Sequence, residues 1–236
     1  RSRGLGDVYK RQHLQLYLKD GFDAKQFVIG DGLPAPAGTG KNVLYAFNGE
    51  YANFISVLKE YYPGGKQEIY YDSNNKNRVS HFFYRVSPEE VDERASYRLK
   101  NGLSAEYTDG RKRVKRTDPM IFFDWNNLPT PTGGNYFKAR WTGSIKVDRP
   151  GRHTFSVQTW DFVDLTINGK KVISRDASQY YHNASVMLNQ GDNEIIIDYE
   201  TRNYYRIRLY WQKPGGQDEL VPYEALIPYL PAAGKR

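Results

Sequence analysis

The sequence predicts an α+β chain in two parts, a small α/β segment at residues 13–98 and an all-β barrel or sandwich at residues 99–230. Two observations carry this prediction. After residue 99, apolar and polar residues alternate in successive short runs, which is typical of strands with one buried face. Before residue 98, strand-like runs are mixed with a segment whose apolar residues recur every three or four positions, as on one helix face.

The clearest strands lie within residues 136–173, where three runs follow one another. Ile145 and Val147 belong to the first strand, which ends at a turn over residues 148–151. The residues expected on the buried faces of the second and third strands are Phe155, Val157, Thr159, Val163, Leu165 and Ile167. Asn168-Gly169 then predicts a type I′ hairpin turn, because both residues tolerate positive φ.

The first part predicts the order strand, helix, strand, strand, helix. The strands are expected at residues 43–47, 67–72 and 79–86. The apolar face of the first helix consists of Tyr51, Phe54, Ile55, Leu58 and Tyr62. The second helix begins at residues 87–90, Ser-Pro-Glu-Glu, which form a capping box with Pro at the first helical position.

The two ends of the chain belong to neither part. Residues 1–12, RSRGLGDVYKRQ, resemble the translated adapter sequence found at the ends of metagenomic gene fragments. We therefore leave them out of the fold argument and expect the native start of a bacterial parent protein to lie upstream. Residues 231–236 are expected to be a frayed tail.

Composition excludes several classes of function. The net charge is +7, but residues 1–12 and 111–116 hold the excess, and elsewhere acidic and basic residues nearly balance. A broad nucleic-acid surface is therefore not expected. The chain has no Cys, which excludes disulfides and thiolate metal sites, and its 4 His are scattered. No triad or metal spacing is found, so we expect a non-catalytic protein.

The basic run at residues 111–116, RKRVKR, is predicted to be a loop. Two interpretations stay open. Charge runs in loops are usually solvated tips, and such runs also bind phosphates or, near a membrane, anionic headgroups.

The order of motifs in the second part resembles the PA-fourteen domain, the β-barrel module named after anthrax protective antigen. R-W-T-G at 140–143 is followed by a strand, a Pro-Gly turn, an acidic corner and L-x-I-x-G-K-x-V-I at 165–173. Upstream G-L-S-A-E-Y at 102–107 and F-F-D-W at 122–125 agree, as do I-I-I-D-Y at 195–199 and L-Y-W at 209–211 downstream. The resemblance covers roughly residues 101–228 and implies an all-β barrel that is often a carbohydrate-binding module.

The resemblance also draws attention to the corner at residues 159–162, Thr-Trp-Asp-Phe. In lectin-like members this corner carries two adjacent Asp residues, joined by a cis peptide, that bind calcium. Trp160 takes the place of the first Asp, and only Asp161 matches a ligand. Calcium needs several oxygen ligands, so the site is incomplete and no cofactor is expected. A purely structural role of Asp161 in turn hydrogen bonding is the alternative.

Aromatic residues cluster in the loops near this corner. If Trp160 points outward, it and its neighbours form a stacking platform for sugar rings; if it points inward, it closes the end of the barrel. The candidate ligand-binding residues are Trp160, Asp161, Tyr180, Tyr181, Arg202, Asn203, Tyr204 and Tyr205.

The first part is similar to the soluble tail of some bacterial polytopic membrane glycosyltransferases. The residues that carry this similarity are LKEYYPGGK at 58–66 and FFYRVSPEE at 82–90. Three functions are therefore considered. The first is an extracytoplasmic module that binds a glycan or glycolipid. The second is an accessory domain of such an enzyme, near the membrane through its parent protein, and the third is a structural spacer.

Overall fold

The computed structural model describes residues 33–126, 129–174 and 178–229. The first part contains β1 (Val43–Asn48), a 3-10 helix (Gly49–Phe54), α1 (Ile55–Tyr61), β2 (Lys66–Tyr71), β3 (Val79–Val86) and α2 (Pro88–Arg94). Its strands form an antiparallel sheet in the order β1-β3-β2. The element order is the predicted one, although the first helix begins with a 3-10 turn. The predictions for residues 1–12 and 231–236 lie outside the described residues.

The second part is a sandwich of two antiparallel sheets, which confirms the sandwich form of the predicted all-β barrel or sandwich. Its strands are β4 (Leu103–Thr108), β5 (Arg113–Asp118), β6 (Phe122–Asp124), β7 (Lys138–Val147), β8 (Gly151–Gln158), β9 (Phe162–Ile167), β10 (Lys170–Ile173), β11 (Tyr181–Leu188), β12 (Gly191–Glu200), β13 (Arg206–Gln212), β14 (Asp218–Leu220) and β15 (Leu226–Pro228). The larger sheet has the order β10-β9-β12-β7-β4-β5, with β15 also on β7. The smaller has the order β11-β8-β13-β14, with β6 also on β13.

The alternating residues of both sheets meet in one apolar core, as predicted. Phe155 and Val157 of β8 are fully buried, as are Val163, Leu165 and Ile167 of β9. The hairpin between β9 and β10 turns at Asn168 and Gly169, which have φ values of 48° and 73°. These positive values are those that a type I′ turn requires, so the Asn-Gly prediction is confirmed.

The structure corrects the prediction for residues 111–116, because most of the basic run belongs to strand β5 and not to a loop. Its side chains alternate between two environments. Arg113 and Lys115 point outward, where both pair with Glu106 at 3.2 and 3.1 Å. Arg116 points inward, and its Nε donates to Asp118 at 2.6 Å. Three of the five basic side chains are therefore paired, which argues against a free cationic patch.

Asp118 is a fully buried carboxylate inside the sandwich. It accepts hydrogen bonds from the hydroxyl of Tyr107, from Trp141 Nε1 at 2.7 Å and from Arg116. Burial raises the pKa of Asp118, and the charge of Arg116 opposes that shift. The network supplies the partners that a buried carboxylate needs, and so it fixes the position of β5 beside β4.

The two parts of the chain share a second apolar cluster. Met120, Phe122, Leu220 and Tyr223 of the sandwich are buried with Phe54, Leu58, Tyr62 and Phe82 of the first part. Phe122 and Tyr51 form an edge-to-face pair with centroids 5.0 Å apart. The connecting segment is also held, since Glu60 accepts from the backbone N–H of Lys100 at 3.0 Å. The predicted boundary at residues 98–99 therefore lies within a packed interface. No helix in the described ranges is long and apolar enough to cross a membrane.

The shared cluster makes a prediction for Phe122→Ala. Removing the ring leaves a cavity between the two parts, and we expect a loss of about 3 kcal/mol in the free energy of unfolding. Trypsin should also cleave faster after Arg98 and Lys100, which are exposed in a held segment. Tyr71→Ala is the control, because Tyr71 is 54% exposed and should change stability by less than about 0.5 kcal/mol. Unchanged cleavage in Phe122→Ala would show that the parts do not depend on this cluster.

Candidate functional site

The candidate site lies where two connections pass from one sheet to the other. Residues 159–161 join β8 of the smaller sheet to β9 of the larger, and residues 201–205 join β12 of the larger to β13 of the smaller. Two backbone N–H groups hold the corner in place. The N–H of Thr159 donates to the carbonyl of Tyr180 at 3.0 Å, and the N–H of Asp161 donates to Thr159 Oγ1 at 2.9 Å.

The Asp161 side chain is fully buried and points into the turn at residues 201–205. Oδ1 accepts from the backbone N–H groups of Arg202, Asn203 and Tyr204 at 2.7, 3.1 and 3.1 Å. Oδ2 accepts from the N–H of Tyr205 at 2.9 Å and from the Tyr199 hydroxyl at 2.5 Å. Five donors thus converge on one carboxylate. The sequence predicted Asp161 to bind a ligand, but its oxygens are already occupied, so its role is to hold the turn.

Tyr199 completes this arrangement and was missed by reasoning from sequence. It is buried on β12, and burial together with the negative charge of Asp161 raises the pKa of Tyr199 well above its ordinary value. The hydroxyl therefore keeps its proton and donates a hydrogen bond to Asp161. The only signal in the sequence is that Tyr199 continues the buried alternation of Ile195 and Ile197, which does not reveal a polar partner.

Trp160 points outward, as one of the two interpretations predicted. Its side chain is 46% exposed, whereas Thr159 and Asp161 on either side are fully buried. The corner places alternate residues on opposite sides, and Asp161 fixes which side faces inward. The interpretation of Trp160 as a lid over the core is therefore wrong.

The structure brings four of the predicted aromatic residues together. Tyr180 is the centre: its ring centroid lies 5.8 Å from that of Trp160, 4.8 Å from Tyr181 and 5.8 Å from Tyr204. Burial and a hydrogen bond with Tyr204 raise the pKa of Tyr180. We call Trp160, Tyr180, Tyr181 and Tyr204 the loop-end cluster. Tyr205 does not belong to it, because its side chain packs against the main core.

A cavity of 290 Å³ opens beside Trp160. Its lining residues are Trp160, Asp161, Arg202, Asn203 and Tyr204. The guanidinium of Arg202 lies 4.2 Å from the centroid of the Phe162 ring, and Asn203 is exposed. Tyr204 is held by the Arg206 guanidinium, which donates to its hydroxyl at 3.1 Å. The cavity thus has one aromatic wall and one polar wall.

That this corner binds no calcium stays a prediction. Asp161 is met by five N–H and O–H donors, and a cation at the same place would face their positive ends. Among the described residues, no group of three or more His, Cys, Asp or Glu side chains could hold a metal ion. In those residues the cis peptide bond is at Leu33–Pro34, so the Trp160–Asp161 bond is trans.

Residues 99–225 match the family model of the PA14 domain. A protein named anti-sigma-I factor RsgI3, from Acetivibrio thermocellus, is 30% identical over 143 residues, which cover 54% of this chain and 21% of that protein. The chain thus spans about a fifth of the length of this relative.

Two solved structures are also similar. One, an anti-sigma factor domain-containing protein, has a TM-score of 0.52 and 26% identity, covering 58% of this chain and 50% of its own. The other, an anti-sigma factor domain-containing protein from Clostridium clariflavum, has a TM-score of 0.51 and 24% identity, covering 57% and 49%. None of these relatives supports the predicted glycosyltransferase tail.

The carboxylate of Asp161 makes a prediction for Asp161→Asn. The amide keeps one acceptor oxygen but turns an NH₂ donor toward the backbone N–H groups, so we expect a loss of about 3 kcal/mol in urea unfolding. Asp198→Asn is the matched control, because Asp198 is a half-buried carboxylate of the outer face whose pair with Arg140, at 3.4 Å, is worth less than about 1 kcal/mol. Equal losses in both variants would contradict the role of Asp161.

The same geometry predicts that calcium is not bound tightly. Calorimetry with calcium chloride should show no site tighter than about the millimolar range, and the melting temperature in calcium should equal that in EDTA. A micromolar site that disappears in Asp161→Asn would refute this prediction.

Proposed function

The chain belongs to the PA14 domain family, and we propose that its sandwich is a non-catalytic module that binds a carbohydrate at the loop-end cluster. Extracytoplasmic placement, with a glycan or the glycan part of a glycolipid as the partner, is part of this proposal. A regulatory or binding role without chemistry also suits relatives that are named as anti-sigma factor proteins.

The exposure of Trp160 is the observation that carries the proposal. A large apolar ring that is 46% exposed on a rigid corner loses little conformational entropy when a ligand covers it. Sugar rings have apolar faces that stack on aromatic rings while their hydroxyl groups stay at the edge. Trp160 lies at the rim of the cavity, so its ring can stack on one face of a sugar bound there.

The polar wall of the cavity supplies hydrogen bonds for hydroxyl groups. The exposed side chains of Arg202 and Asn203 belong to a turn that Asp161 fixes from beneath. The ligand therefore meets donors whose backbone is already ordered. Asp161 itself supports the site and makes no contact with the ligand in this proposal.

The expected affinity is low. Aromatic contacts are worth about 0.5–1.5 kcal/mol each, and the loop-end cluster offers one or two of them to a single sugar. With a few exposed hydrogen bonds, the total corresponds to a dissociation constant of about 0.1–1 mM. Useful binding then requires several sites on a polymer or surface, or attachment of the module close to its ligand.

The relatives favour one parent protein over another. Because the match to the anti-sigma-I factor covers 54% of this chain, we favour a regulatory parent in which this module detects the ligand. Attachment to a membrane glycosyltransferase is the weaker alternative, since it rests on short motifs in residues 58–90. A structural spacer is the alternative if no glycan binds.

A glycan array tests the proposal, followed by titration of a soluble oligosaccharide that binds. We expect Trp160→Ala and Tyr204→Ala each to weaken binding by about 2- to 13-fold, because each removes one aromatic contact worth about 0.5–1.5 kcal/mol. Tyr71→Ala is the matched control, an exposed aromatic residue of the first part, and it should bind like the wild type. Binding that both loop-end variants retain would refute the site, and an array without any ligand would favour the spacer.

A further inference from the structure

A second cavity lies at the other end of the sandwich. It has a volume of 340 Å³, and the residues that define it include Asp148, Arg149, His153, Trp211 and Lys213. Strand β8 separates it from the corner at Trp160, and eight residues of strand span about 25 Å. The two cavities therefore share no lining residue and no loop.

The walls of this cavity are fixed before any ligand arrives. One wall is the turn between β7 and β8, and the other is the turn at residues 213–216 after β13. The second turn is closed by hydrogen bonds from Gly216 N to the Lys213 carbonyl and from Gln212 Nε2 to the Gly216 carbonyl, both 2.9 Å. The two turns approach each other closely. A Cβ atom added to Gly151 would lie only 3.0 Å from Pro214 Cγ.

Beneath the two turns lie two aromatic side chains that are almost fully buried, His153 with 1% and Trp211 with 2% exposure. The rings of His153 and Trp211 lie side by side with centroids 5.8 Å apart. His153 Nδ1 is 3.1 Å from the carbonyl oxygen of Gly151. A carbonyl can only accept, so Nδ1 carries the hydrogen, and this contact fixes the ring beside the first turn.

Each wall carries a cation. Arg149 is exposed on the first turn, and Lys213 lies on the second with its ammonium 4.9 Å from the Trp211 ring. Glu219 accepts from Lys213 at 2.9 Å and from Trp211 Nε1 at 3.2 Å, which orients both groups. An ammonium has three donors, and this ion pair occupies one. Two carboxylates accompany these cations: Glu219 is paired with Lys213, and Asp148, which is part of the lining, can accept from a ligand hydroxyl.

We propose that this cavity binds a compact organic anion, with the carboxylate or phosphate between Arg149 and Lys213 and the rest of the ligand against the two turns. Cations on opposite walls suit a negative group that reaches both. The volume is at the lower end of ligand pockets, which suits a monosaccharide-sized molecule. A sugar acid combines the charge, the hydroxyl groups and the size.

The test is an NMR titration of the ¹⁵N-labelled full chain with glucuronate, glucose and inorganic phosphate. We expect glucuronate to shift the Trp211 indole signal and the amide signals of Gly215 and Gly216, and glucose at the same concentration to leave them in place. The phosphate titration shows which charged group is sufficient. If phosphate shifts the same signals, the cavity binds any compact anion; if it does not, the cavity requires a carboxylate on a sugar. If glucuronate gives no shifts, or glucose gives equal ones, the proposal is overturned.

A double variant tests the two cations. Arg149→Gln with Lys213→Gln should weaken glucuronate binding at least tenfold. Arg111→Gln with Lys112→Gln removes the same charge from a distant exposed turn and should change binding less than twofold. Equal weakening in both would mean that only net charge attracts the anion, which overturns the site. The readout here is the signals of Trp211, Gly215 and Gly216, whereas the loop-end site is read out by Trp160→Ala on the glycan array, so the two proposals can fail separately.

Discussion

One buried carboxylate determines the geometry of the candidate site. Asp161 belongs to the connection from the smaller sheet to the larger, and its five donors belong to β12 and to the connection that returns. An unpaired carboxylate at this depth would cost several kcal/mol, and the four turn N–H groups would also lose their acceptor. The carboxylate and the turn N–H groups therefore satisfy each other's hydrogen bonding, and these bonds connect the two sheets at this end. The exposure of Trp160 is a consequence, because the corner has only one side left for it.

This arrangement has a chemical consequence for metal binding. A cation at a turn is held by oxygen atoms, whereas the turn at residues 201–205 presents hydrogen atoms toward its centre. The carboxylate of Asp161 thus occupies the position where those hydrogen atoms converge. We therefore expect this turn to stay ordered with or without calcium, and the proposed recognition at this end to need no metal ion.

The sequence predicted most of the fold. Strand alternation and the Asn168-Gly169 turn are local signals, and the packing of the two apolar clusters is consistent with them. The prediction for residues 111–116 was wrong because their charge suggested a loop. In the structure Arg113 and Lys115 face outward and Arg116 faces inward, which is the alternation of an edge strand. For the site, the sequence found the loop-end aromatic residues. It could not assign Asp161 and Tyr199 to each other, because their contact joins residues 38 positions apart through the core.

The surfaces between the two ends differ in character. The first part of the chain covers the β6, β13 and β14 part of the outer side of the smaller sheet, where Phe122 and Tyr210 meet its apolar cluster. The outer side of the larger sheet carries ion pairs in rows, including Glu106 with Lys115 at 3.1 Å and Arg140 with Asp198 at 3.4 Å. Such pairs add little stability, but they keep this face hydrophilic and protect the edge strand β5 from pairing. The two sets of turns differ in chemistry: one presents exposed aromatic rings, and the other presents Arg149 and Lys213. Under the two proposals a single sandwich therefore holds two chemically different sites, and a ligand would reach each without displacing a packed element.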